Sequence, residues 1–115
     1  MIDLYVAAKL GPMNIAAFSS SASAWRKYRF NLPSNVGRAL FALMPTVNCR
    51  VLQGDKDVLG TAATACMLAT YSYFPMVIEN DQDRYISIAS NNTTAGNLEI
   101  TLISEIEDWS LTEIT

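Results

Sequence analysis

Apolar and polar positions alternate through much of this chain. Tyr28, Phe30 and Leu32 are apolar, and Lys27, Arg29 and Asn31 between them are polar. Successive side chains of a strand point to opposite faces, so this run predicts a half-buried strand with a charged outer face. Pro33, Ser34 and Asn35 end it with turn chemistry. Residues 36–44 are almost continuously apolar and stop at Pro45, which reads as a strand buried on both faces. Val47, Cys49 and Val51 alternate with Asn48 and Arg50 in a further half-buried strand.

The pattern continues in the second half. Residues 53–57 form a polar turn, and the Ala- and Thr-rich stretch 59–70 fits either a short helix or a strand. Residues 71–78 are aromatic and β-branched, which favours a strand. A polar turn at 80–83 leads into a strand at 85–90, and residues 91–97 look like a hairpin loop. Leu98, Ile100 and Leu102 then alternate with Glu99 and Thr101 in a strand that extends toward Ile106. Short strands with turn residues at a spacing of about 8–12 predict an all-β sandwich or small barrel. The expectation is an antiparallel β-sandwich with jelly-roll-like connections over residues 24–107.

The two ends fit that pattern less closely. Residues 2–10 end at Gly11-Pro12, and residues 19–23 are a serine-rich connector, so 1–23 reads as an N-terminal arm or an added strand. Residues 108–115 read as a C-terminal tail. Trp109, Leu111 and Ile114 make it more apolar than a purely solvating tail requires, so it is expected to dock.

Composition adds an argument about assembly. At 115 residues the chain is one domain, half of its residues are apolar, and only 17 % are charged, against about 25 % in ordinary globular domains. Few charges leave apolar surface uncovered, so a homo-oligomer is expected. The charges are also segregated. Residues 1–52 hold six basic side chains and one acid, whereas residues 53–115 hold two basic side chains and ten acids. Strands from both halves interleave in a sandwich, so part of this asymmetry is expected to cancel within each subunit.

Little in the chain resembles catalytic machinery. Histidine is absent, which removes the commonest general base and neutral metal ligand. Gly54 is followed by Asp55-Lys56-Asp57, not by the Gly-Lys-Ser/Thr run of a phosphate loop. The turn also fails as a calcium loop, since Leu59 and Cys66 stand at its fifth and twelfth positions. Asp81 and Asp83 are the pair that an enzyme would use, but turn carboxylates are ordinarily solvated; the expectation is no enzyme, cofactor or metal. Cys49 and Cys66 read as buried, reduced thiols. No basic region or cleavage site follows Met1-Ile2-Asp3, so no signal peptide is expected. The tandem acceptor patterns at Asn91 and Asn92 therefore read as turn residues. Residues 58–78 carry no charge but contain Gly60 and Pro75 and have acidic flanks, so they read as two buried segments joined by a turn and not as a membrane span.

The clearest polar constellation is the basic strand. Lys27 and Arg29 share one face with Trp25, whereas Tyr28 and Phe30 occupy the other. Nucleic-acid platforms need cations and exposed aromatics on the same side, so the run reads first as core aromatics behind a charged outer face and next as a protein contact. Trp25, Lys27, Arg29, Arg38 and Trp109 are the expected partner-binding residues, because aromatic and arginine side chains dominate contact energies.

The stretches Tyr28-Arg29-Phe30-Asn31-Leu32-Pro33-Ser34-Asn35-Val36, Val47-Asn48-Cys49-Arg50-Val51, Arg84-Tyr85-Ile86-Ser87-Ile88-Ala89-Ser90 and Asn97-Leu98-Glu99-Ile100-Thr101-Leu102 resemble the strands and turns of small structural proteins of tailed-bacteriophage virions. The resemblance implies a capsid decoration (cement) protein, made in the host cytoplasm and carried on the virion. Its partners would be the major capsid protein or other virion proteins, together with further copies of itself, with no nucleic acid and no membrane. A second reading is a tail- or head-fibre module that binds carbohydrate or a receptor through Tyr71, Tyr73 and Tyr85.

Overall fold

Nine strands, and no helix, make up the secondary structure of the described residues in a computed structural model: 13–21, 23–59, 65–91, 93–103 and 108–114. They are β1 (Met13–Phe18), β2 (Arg26–Asn31), β3 (Arg38–Pro45), β4 (Cys49–Gly54), β5 (Cys66–Leu68), β6 (Phe74–Glu79), β7 (Tyr85–Ser90), β8 (Gly96–Leu102) and β9 (Ser110–Ile114). Two antiparallel sheets form a sandwich. Sheet A has the order β1-β8-β3-β6, and sheet B the order β5-β4-β7-β2-β9.

The pairing is nested. β4 pairs with β5, β3 with β6, β2 with β7 and β1 with β8. The chain therefore runs as one long antiparallel ribbon that turns back between β4 and β5 and wraps around the core. Apart from β4 to β5, every consecutive pair of strands lies in opposite sheets. This corrects the hairpin expected at residues 91–97. β7 belongs to sheet B and β8 to sheet A, and the loop crosses the sandwich. A strand's alternation tells which residues face the core, not which sheet it joins. Sheets stack about 10 Å apart, within reach of a five-residue connection.

The core is the inner face of both sheets. Phe18, Phe41, Leu43, Ile78, Leu98, Ile100 and Leu102 enter it from sheet A, and Phe30, Ile86, Ile88, Cys49 and Val51 from sheet B. Trp109, 4 % exposed, joins the two sides. It stacks on Phe30 with ring centroids 5.7 Å apart and tilts against Phe41 at 4.7 Å. Its burial carries β9 onto the edge of β2, so the segment expected as a tail is the fifth strand of sheet B. At the other end of the chain, Met13–Phe18 is the added strand on sheet A, and residues 1–12 lie outside the described residues. The Tyr28 hydroxyl of sheet B donates to the Ala17 carbonyl of β1 at 2.6 Å and ties the two sheets together.

Two further expectations change. The sequence of the uncharged stretch 58–78 predicts two buried segments. Its described part supplies β5 and β6, which are edge strands of different sheets, and β6 buries only Ile78 fully. Residues 60–64 lie outside the described residues. The two thiols also differ. Cys49 is enclosed in the core and Cys66 is exposed at the start of a three-residue edge strand; both are free.

Candidate functional site: two unlike outer faces

Strand register fixes what each sheet shows to the outside. On sheet B, Cys49 and Val51 face the core, so Arg50 and Leu52 face outward; the same alternation turns Lys27 and Arg29 of β2 outward. Lys27 stands opposite Ser87, and Arg29 opposite Tyr85. Arg50 stands opposite Ala89, with Met67 on its other side. Ser110, Thr112 and Ile114 of β9 complete the face. Three cations share it, and none of its described strand residues is acidic.

Ser87 and Ala89 lie on this outer face yet are 1 % and 0 % exposed. Both are small and sit on the central strand, between the longer side chains of β2 and β4. Long cationic side chains cover neighbouring surface with their stems while the charged heads stay wet. The Lys27 ammonium donates to the Lys56 carbonyl, and the Arg29 guanidinium donates to Asn31 Oδ1 at 2.8 Å. Asn31 in turn donates to the Thr112 and Ser110 hydroxyls, at 2.8 and 3.0 Å.

Sheet A shows a different face. Its outward positions are Met13, Ile15 and Ala17 on β1, Leu40, Ala42 and Met44 on β3, and Pro75 and Val77 on β6. Only β8 lays a polar row across them, with Asn97, Glu99 and Thr101. Arg38 and Glu79 close one end of the face with an ion pair at 3.9 Å.

The five residues singled out from the sequence are thus divided. Lys27 and Arg29 share the outer face of sheet B, and Trp25 lies half-buried just before β2. Arg38 is on the other sheet and is paired with Glu79. Trp109 is used inside its own subunit. Sequence reasoning recognised Arg50 as a polar strand residue but did not join it to Lys27 and Arg29, because the order β4-β7-β2 follows from long-range pairing. The outer face of sheet A was also missed, because alternation alone would turn Met13 and Ile15 toward the core, whereas β1 turns Asn14 and Ala16 inward.

The charge split partly cancels across strands. Arg26 Nε and Nη2 donate to Glu113 Oε2 and Oε1 at 2.7 and 2.6 Å, which joins β2 to β9. That hydrogen bonding holds the Glu113 carboxyl below its ordinary range and raises Arg26.

The remaining polar groups serve turns. Asp55 and Asp81 each accept the amide N–H two residues on, at 2.9 and 2.8 Å. A shallow pocket of about 300 Å³ between these turns is lined by Asp55, Lys56, Gln82 and Tyr85. Among the described residues, no group of three His, Cys, Asp or Glu is placed to hold a metal ion, and no helix is long and apolar enough to cross a membrane. Burial pushes the Cys49 thiol up to about 12, so it stays protonated at neutral pH. Tyr71 and Tyr73, 68 % and 57 % exposed, project from the turn between β5 and β6. Tyr71 adopts a left-handed backbone (φ 59°), held by an N–H bond to the Pro45 carbonyl at 2.8 Å.

No family model, curated protein or solved structure matches this chain.

Proposed function

We propose that this chain is a structural protein of a bacteriophage virion that decorates the capsid, binding the shell and stabilising neighbouring subunits. The observation that carries this reading is the contrast between the two outer faces. One subunit offers a largely apolar face, crossed by the polar row of β8, and, on its opposite side, a cationic face free of acids among its described strand residues. Such a subunit can hold two different surfaces at once. The nested pairing supports a jelly-roll reading: strands 1–8 pair first with last, with sheet orders β1-β8-β3-β6 and β5-β4-β7-β2, and β9 is an extra edge strand. Jelly rolls are frequent among viral capsid and lectin domains. The fold alone does not select between those uses.

The test is binding to shells assembled from the major capsid protein of the phage that encodes the chain. Saturable co-sedimentation and a raised shell disruption temperature are expected. A chain that stays in the supernatant at low salt overturns the proposal.

Tyr71 and Tyr73 favour a second reading, a carbohydrate- or receptor-binding module of a fibre. Two exposed tyrosines on one turn supply stacking surface for a sugar ring. Selective binding on a glycan array, lost in Tyr71→Ala, would move the assignment to that class; decoration alone predicts no glycan selectivity.

A further inference from the structure

The sandwich has four sheet edges among its described strands, and three of them carry protection against pairing with another chain. Proteins blunt edges with short strands, proline, inward charges or covering groups. β5 has three residues. β6 contains Pro75 and Glu79, and its Val77 carbonyl already accepts a hydrogen bond from Gln53 Nε2 at 3.1 Å. β9 places Glu113 on the same face as the core residue Tyr28, a charge turned toward the interior side. β1 has the fewest of these devices: only its Ala17 carbonyl is covered, by the Tyr28 hydroxyl. Met13–Phe18 contains no charge and no proline.

The hydrogen-bonding groups of that edge can be assigned. Asn97 exchanges bonds with Thr46: the Thr46 N–H donates to the Asn97 carbonyl at 2.9 Å, and the Asn97 N–H donates to Thr46 Oγ1 at 3.0 Å. Ile103 N–H donates to the Leu40 carbonyl. The odd residues of β8 thus turn their backbone groups toward β3, and its even residues turn toward β1. In an antiparallel pair, hydrogen-bonded and non-hydrogen-bonded positions alternate. Asn14 and Ala16, opposite Ile100 and Leu98, are therefore bonded to β8. Met13, Ile15 and Ala17 point their N–H and C=O groups away from the sheet. The Ala17 carbonyl takes the Tyr28 hydroxyl and keeps a second lone pair. The side chains of these same residues stand on the apolar outer face, where Met13 is 48 % and Ile15 54 % exposed.

We infer that β1 pairs antiparallel with β1 of a second copy, joining two A sheets into one eight-stranded sheet about a two-fold axis. A second copy is the matching occupant because this strand is complementary to itself. It brings no like charges together, and an isologous contact closes at the dimer. It also continues the apolar outer face across the joint without a polar interruption. Face alternation limits the register, since residues directly opposite one another must share a face. Met13 to Phe18 therefore cannot overlap end to end. Centring on Ile15 sets Ile15 opposite its copy and Met13 opposite Ala17 of the second molecule. Centring on Ala16 would set Met13 opposite the polar Ser19, so the Ile15 register is the one inferred. This inference goes beyond the proposed function and does not depend on capsid binding.

The test uses the full chain. Light scattering after size exclusion is expected to give twice the chain mass for the wild type. Ile15→Lys is expected to weaken dimerisation at least tenfold. That lysine would stand opposite Glu99 within its own subunit, so the fold tolerates it. Val77→Lys on the β6 edge is expected to leave the dimer intact. In a Cys66→Ser background, Ile15→Cys is expected to oxidise to a covalent dimer, whereas Val77→Cys is not. A wild type that stays monomeric at the highest attainable concentration overturns the inference. So does a dimer that survives Ile15→Lys but not Val77→Lys, or one that Ile15→Cys fails to cross-link. Shell binding by a strictly monomeric chain would sink β1 pairing and leave the decoration proposal standing.

Discussion

The two outer faces are built by the same strand alternation, yet they differ in what stays exposed. On sheet B, Ser87 and Ala89 of the central strand are buried between β2 and β4. On sheet A, Ala42 of the inner strand β3 is likewise buried, whereas Met13, Ile15 and Val77 stay exposed because β1 and β6 are edges. On the cationic face, long stems cover neighbouring surface while their charged heads stay wet. A largely apolar face has no such charged heads and stays available to another protein surface. The contrast teaches that exposure follows strand position in the sheet as much as residue type.

The largest expected effect removes what both faces stand on. Trp109 bridges Phe30 of sheet B and Phe41 of sheet A, so Trp109→Ala is expected to lose about 3–5 kcal/mol in chemical denaturation. A loss below about 1 kcal/mol would make β9 an arm that partners can displace. Next is Gly96→Ala at one end of sheet A. The added methyl would lie 2.5 Å from Val47 Cγ2 and 3.0 Å from Phe18 Cζ, which is expected to cost about 1–3 kcal/mol. Gly37→Ala is the control: no atom lies within 4 Å of the added methyl, and its effect is expected to stay within about 0.5 kcal/mol. Reversing Lys27, Arg29 and Arg50 to Glu is expected to change stability little. It should abolish retention on an anionic matrix at low salt, since charges on an exposed face are screened within about 10 Å at 0.1 M salt. If retention survives, the cations of sheet B do not form one surface.

Much of the fold was legible because strand alternation is local. The strand at Tyr85–Ser90 was read to the residue, and the all-β class followed from turn spacing. Sheet membership was not legible. β7 and β8 look like a hairpin in sequence and part into opposite sheets, because only long-range packing decides where each strand pairs. The candidate site suffered for the same reason. Lys27 and Arg29 were visible as a local pattern, but Arg50 joins them only through β7. Trp109 was seen as an apolar anchor, and its burial shows that it anchors its own subunit. The difference between Cys49 and Cys66 needed the knowledge that β5 is a short edge strand.

The smallest expected effect concerns the acid that keeps β9 unlike β1. Arg26 and Glu113 meet bidentately at 2.7 and 2.6 Å, but their side chains are 35 % and 40 % exposed. Solvent screening limits such a pair to about 0.2–1 kcal/mol. The Glu113 carboxyl is held below its ordinary value mainly by the hydrogen bond from Arg26. The folded protein therefore releases this proton more readily than the unfolded chain does. The stabilisation is fully present above the unfolded carboxylate value of about 4.3 and disappears as pH falls through the lower folded value. Wild type and Glu113→Gln are thus expected to differ most near neutral pH and to converge in acid, with the gap narrowing in high salt. A gap that ignores both pH and salt would mean that Glu113 acts through packing. Glu113→Val carries the same comparison to the edges. It strips β9 of its charge, and a rise in association relative to Glu113→Gln is the outcome expected if charge is what keeps that edge closed.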